Sequence, residues 1–205
     1  MSLFSSDEER RVSDAIAQAE RTTSGEIVVV VAARSDSYFY VPPLVAALIS
    51  LLVPWVLIYF TRFDLQSIYL AQLATFLVLT ALLLPLPVRT ALVPKRVKAL
   101  HAHQRAVEQF IVQNLHTTAD RTGVLLFVSV AERFVEILAD TAIDARVAPG
   151  TWKSIVDQLT AAIGAGKATD GLVAAIRAMG AHLERHFPPT TRHSNELPDH
   201  LIVLP

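Results

Sequence analysis

The chain has no cysteine in its 205 residues. Disulfides, thiolate nucleophiles and cysteine-bound metals are therefore excluded. Glycine is scarce as well, with seven in all. No Walker loop, G-x-G-x-x-G or G-x-S-x-G pattern occurs, so little backbone is available to cradle a phosphate or raise a nucleophile. The net charge is only −1. That leaves no global field of the kind that draws a protein onto nucleic acid, and none is expected as a partner. Residues 1–11 lack the basic-then-apolar order of a cleaved signal, so none is expected there.

The most informative scarcity is local. Between Asp36 and Arg62 no residue is charged, and between Asp64 and Arg89 again none is. A helix needs about 20 apolar residues to cross a hydrocarbon core. Residues 37–89 therefore predict a transmembrane hairpin, with crossings over about 41–60 and 65–86. Pro54 should kink the first, and Pro85 and Pro87 should end the second. Tyr38, Phe39 and Tyr40 suit a membrane interface. Arg89, Lys95, Arg96, Lys98 and Arg105 follow the hairpin, whereas its loop holds Arg62 beside Asp64. The positive-inside rule then places both flanking segments in the cytoplasm and the chain in the inner (plasma) membrane. The lipid bilayer is the first expected partner, and other membrane proteins the second.

The flanks, 1–36 and 90–205, read as one domain cut in two. Ser5 with Glu8, or Ser6 with Glu9, offers a capping box for a helix whose stripe is Val12, Ala15, Ile16 and Ala19. Glu26–Ala33 and Gly123–Val130 are short, continuous apolar runs, the signature of strands covered on both faces. A third strand, Phe134–Asp140, should return antiparallel after a turn at Ala131–Arg133. Residues 94–116 read as a helix with Val93, Val97, Leu100, Val107, Ile111 and Leu115 on its apolar stripe. Two more helices follow at 151–163 and 169–186, and Leu201–Leu204 could add an edge strand. Helical material between the first two strands predicts parallel pairing through a crossover. The expected fold class is α/β, a small mixed sheet with helices packed on it.

Several side chains could carry chemistry. Asp36 follows the first strand, Glu132 and Arg133 follow the second, and Asp140 and Asp144 follow the third. Carboxylates beyond strand ends could hold Ca²⁺ or Mg²⁺ through oxygen. Asp36, Asp140 and Asp144 are the metal candidates, and Asp140, Asp144, Glu132 and Arg133 the catalytic ones. The bland alternative makes them turn residues and caps. His182 and His186 have metal-ligand spacing, but Leu183 stands where a zincin has Glu. His193 and His200 lie in a proline-rich tail. Trp152 is expected in the core, and Glu26 at a solvated strand end or else as the partner of a basic residue.

The segments Thr23–Val31, Arg121–Ser129, Ala131–Asp140, Gly171–Ile176 and Asn195-Glu196-Leu197-Pro198-Asp199 resemble the TPM-domain family. More narrowly, the chain is similar to small bacterial membrane proteins in which a transmembrane hairpin interrupts that domain. The resemblance implies an α/β sandwich around a mixed sheet. Acid phosphatase activity and Ca²⁺ binding are attributed to some members, which carry a Gly-Tyr-Gly turn after the third strand. Here that place reads Ala139-Asp140-Thr141-Ala142. Two functions are thus expected. One is a membrane-anchored, non-catalytic interaction or regulatory module. The other is a metal-assisted phosphatase using Asp140, Asp144 or Glu132, with Arg133 on the phosphate.

Overall fold

The computed structural model describes residues 3–118, 120–148, 150–189, 197 and 199–205. His193 and the Asn195, Glu196 and Pro198 of the last family-like segment lie outside them. The chain forms two compact units: residues 1–35 with 99–205, and residues 36–98.

The first unit is built on a four-stranded sheet. Its strands are β1 (Glu26–Ala32), β2 (Gly123–Ser129), β3 (Phe134–Ala139) and β4 (Leu201–Leu204), in the order β3-β2-β1-β4. β1 runs parallel to β2 and to β4, and β3 runs antiparallel to β2. The sheet is mixed, and the terminal apolar run adds its edge, as the pattern suggested. Every residue of β1 and β2 is buried. The reason is cover on both faces, with side chains alternating between them. Ile27, Val29, Val31, Val124, Leu126 and Val128 join the larger core. α1 (Ser6–Glu20), α8 (Thr151–Gly164) and α9 (Ala168–His186) fill its other side through residues such as Ile16, Leu159 and Ile176. Val28, Val30, Leu125 and Phe127 face a smaller core with Ala106 and Leu115. Ser5 and Glu8 complete the capping box of α1, with Ser5 N donating to Glu8 Oε2 at 2.9 Å. Trp152 packs half-buried on the larger core.

The helix after the hairpin, α6 (Lys95–Val112), corrects the sequence reading. Its buried residues are Ala102, Ala106 and Gln109; of the expected stripe Val93 and Leu115 are buried and Val97 is half-buried, whereas Leu100, Val107 and Ile111 are exposed. The middle of the stripe points outward, and small residues pack on the inner side there. A four-residue helix, α7 (Thr141–Asp144), was also not anticipated.

The second unit is a helical hairpin. α2 (Val41–Ser50) and α3 (Leu52–Phe60) make its first arm, and α4 (Leu65–Leu83) its second. The break at Leu51 lies one turn before Pro54, which cannot donate to the Ser50 carbonyl and crowds it. Each arm is long and apolar enough to cross a membrane, over Val41–Phe60 and Leu65–Leu83. Asp64 caps α4 by accepting from Ser67 N at 3.4 Å and Ser67 Oγ at 2.6 Å. α4 stops three residues before the expected end, and α5 (Leu86–Leu92) follows Pro85.

Candidate functional site

At the carboxyl ends of β1 and β2 the two strands stay joined past their last ladder residues. Val130 N donates to Ala32 O and Ala131 N to Ala33 O, both at 3.0 Å. The chain then turns sharply, with Arg133 at φ +53°. This aims the Glu132 carboxylate back over the strand ends. Glu132 Oε2 accepts from Ser35 N at 3.1 Å and from Ser129 Oγ. Ser35 Oγ donates to Ser129 Oγ at 2.8 Å. Glu132 Oε1 is buried with no hydrogen-bond partner. A serine beside a carboxylate suggests an activated nucleophile, but Ser129 is 0% exposed and no substrate reaches it. The network ties the exit of β1 to the β2–β3 turn. Arg133 is exposed and takes no part in it.

Asp140 lies at the other end of the sheet. Its N–H donates to Gly123 O at 2.9 Å, which closes β3 on β2. Its Oδ1 accepts from Thr141 N at 2.6 Å, capping α7. Arg121 reaches Asp140 Oδ2 at 3.5 Å. Asp144 is exposed on α7. The six residues of β3, about 20 Å of extended chain, separate Asp140 from Glu132. Asp36 belongs to the hairpin unit, where its Oδ1 accepts from Ser37 N at 2.5 Å and Tyr38 N at 3.4 Å. Glu132 and Asp140 therefore stand at opposite ends of the sheet and do not share one site. Among the described residues no three His, Asp or Glu side chains come together as metal ligands. The Ca²⁺ that the family resemblance implies does not fit these residues, and no step through a metal is derived.

Sequence reasoning missed Glu20. It closes α1 and looks solvated, yet its Oε1 accepts from Ile27 N at 2.7 Å. Burial is the main reason its carboxyl is pushed up to about 9; the neighbouring Asp199 and Glu26 carboxyls add, and the Ile27 N–H opposes. Glu26 is 2% exposed, against the expectation of a solvated strand end. Only the β1–β4 pairing brings Asp199 to this place, so no local signal could have revealed the group. Elsewhere, Arg11, Asp14, Asp170 and Arg177 line a shallow groove between α1 and α9. Arg11 and Asp170 already satisfy each other there at 2.6 Å.

In the hairpin unit the apolar side chains face outward. Only 17% of the most apolar stretch of the first arm is buried, and 6% of that of the second. A core helix of a soluble domain would be mostly buried. Leu48, Leu52, Ile58, Leu70 and Leu77 are all more than half exposed. At the end where both arms meet the flanks, the Arg89 guanidinium lies 3.9 Å above the Phe39 ring.

Two of three comparisons with known proteins find a likeness. The family model of the TPM domain matches residues 88–182. The NMR structure of BA42 protein from the psychrophilic bacterium Bizionia argentinensis superposes with a TM-score of 0.62 at 20% identity. The match covers 98% of this chain and 96% of that one, a likeness of fold. No protein of curated function matches.

Proposed function

We propose that this chain, a carrier of a TPM domain, is a membrane-anchored, non-catalytic module that presents its α/β domain to other membrane proteins at the cytoplasmic surface. The observation that carries this reading is the hairpin: two apolar arms of 20 and 19 residues with almost all their apolar surface turned outward. An exposed apolar surface of that extent requires a lipid or protein cover. The basic residues after the second arm and the near-neutral loop at Arg62 and Asp64 set the orientation, with both flanks in the cytoplasm. The scattered carboxylates favour a binding role over hydrolysis.

The absence of cysteine makes the topology simple to test. Single-cysteine variants Arg62→Cys and Arg133→Cys are labelled in intact cells with a membrane-impermeant maleimide. Label at 62 and protection at 133 is the expected outcome. The reverse pattern, or release of the chain from membranes by alkaline carbonate, overturns the reading.

The second reading, a metal-assisted phosphatase, draws on the buried, unpartnered Oε1 of Glu132. The purified chain with a generic phosphate ester and Mg²⁺ or Ca²⁺ should show no turnover above background. Turnover that disappears in Glu132→Gln would favour hydrolysis instead.

A further inference from the structure

Arg89 stands out as a charge without a counter-charge. The residue is 4% exposed, and its Nε is buried with no hydrogen-bond partner. Among the described residues no carboxylate is ion-paired with it. Its contact is the face of Phe39, 3.9 Å from the guanidinium carbon. A ring face stabilises a cation but accepts N–H only weakly and does not replace the oxygen acceptors of water. Removing a guanidinium from water is costly unless an anion and acceptors replace that water.

Position suggests where the anion comes from. Arg89 lies six residues beyond Leu83, the last residue of the second arm, and Phe39 lies two before Val41, the first residue of the first arm. Leu84 and Pro85 lie outside either helix, and Arg89 is within α5. The polar layer on each side of a bilayer is about 5–8 Å thick. Phe39, two residues outside the first arm, puts the pair in that layer if the hairpin spans the membrane. Phe39 is itself 56% exposed, so the buried guanidinium lies just beneath the surface of the hairpin. The charge around it is one-sided: over residues 36–40 and 84–98 the cations are Arg89, Lys95, Arg96 and Lys98, and Asp36 is the one acid. Lys98 Nζ donates to Thr90 O at 3.2 Å at the end of α5, which leaves Lys95 and Arg96 exposed to solvent.

We infer that Arg89 binds the phosphate of an anionic phospholipid headgroup, with Lys95 and Arg96 supplying further positive charge. The planar N–H fork of a guanidinium matches two phosphate oxygens, and its cationic face stays on Phe39. This site rests on the membrane reading above, and the test separates the two.

The full chain is extracted in mild detergent from phosphatidylglycerol-containing membranes, and retained lipid is read by native mass spectrometry. The wild-type chain should keep one phosphatidylglycerol, and excess inorganic phosphate should not displace it. Arg89→Gln should lower the retained fraction about tenfold, the loss of roughly one charge-assisted hydrogen bond. Arg89→Lys keeps the charge but not the fork, and should fall between the two. Retention in both variants equal to wild type overturns the site, while displacement by inorganic phosphate assigns it to a soluble anion and overturns the lipid. Carbonate extraction is run in parallel. Release of the wild-type chain overturns the anchoring itself, whereas a membrane-integral variant with unchanged lipid overturns only the site.

Discussion

Glu20 Oε1 accepts the backbone N–H of Ile27 at 2.7 Å, so the last residue of α1 is fastened to the first turn of chain in β1. Burial beside Asp199 and Glu26 raises that carboxyl to about 9, against an ordinary value of 4.5. The proton is therefore held more tightly in the folded state. Its stabilising effect is complete below about 4.5 and is lost as pH rises toward about 9. Glu20→Gln keeps an oxygen for Ile27 and cannot ionise. Its melting temperature should exceed that of the wild type by a margin that widens from pH 5 to pH 9. Parallel profiles would show that Glu20 is not buried as described.

The Glu132 carboxylate serves two donors at the strand ends. Glu132→Ala leaves Ser35 N–H and the buried Ser129 hydroxyl without it, and should destabilise the domain by about 1–3 kcal/mol. Ser129→Ala removes donor and dependence together and should cost less. Chemical denaturation of both variants checks the order, and a larger loss for Ser129→Ala would contradict the network.

α1 and α9 meet where Gly180 has no side chain. A Cβ at 180 would stand 2.8 Å from the Ala19 Cβ. Alanine gains about 1 kcal/mol of helix propensity over glycine, but here the clash opposes it. Gly180→Val should destabilise by about 1–3 kcal/mol. Gly180→Ala combined with Ala19→Gly should recover most of any loss from Gly180→Ala alone. Failure of the pair to couple in a double-mutant cycle would place the helices farther apart.

Leu126 and Phe127 are neighbours in β2 that serve opposite faces of the sheet, and both are 0% exposed. Leu126→Ala and Phe127→Ala should each cost about 2–5 kcal/mol. A near-neutral effect of either, measured by denaturant midpoint, would mean that its face of the sheet is open.

Much of this fold can be read from the chain because the relevant signals are local. The charge-free intervals on either side of Arg62 and Asp64 delimit the two apolar arms closely. The runs Glu26–Ala32 and Gly123–Ser129 are too apolar for anything but doubly covered strands. Helical spacing predicts an inward stripe from Val93 to Leu115; its ends are buried, but Leu100, Val107 and Ile111 face outward and the residues that pack inward beside them are alanines and a glutamine. Pattern reading gives such residues little weight. In the candidate site, the opposed positions of Glu132 and Asp140 follow from one antiparallel strand. The burial of Glu20 and Glu26 depends on residues far along the chain and leaves no local trace.

The pairing of β1 has a consequence for synthesis. Both of its neighbours, β2 and β4, come later in the chain, and β2 begins only at Gly123. At the usual pace of translation, about 5–20 residues per second, β1 waits for its first partner for roughly 5–20 s. During that interval Val28–Val31 is a bare apolar edge, the kind that pairs with strangers. The hairpin emerges in the same interval. The domain's central strand is thus finished only after the apolar arms have found their own surroundings. The exposed interval of β1 falls before the sheet can close, when stability of the finished sheet cannot protect it.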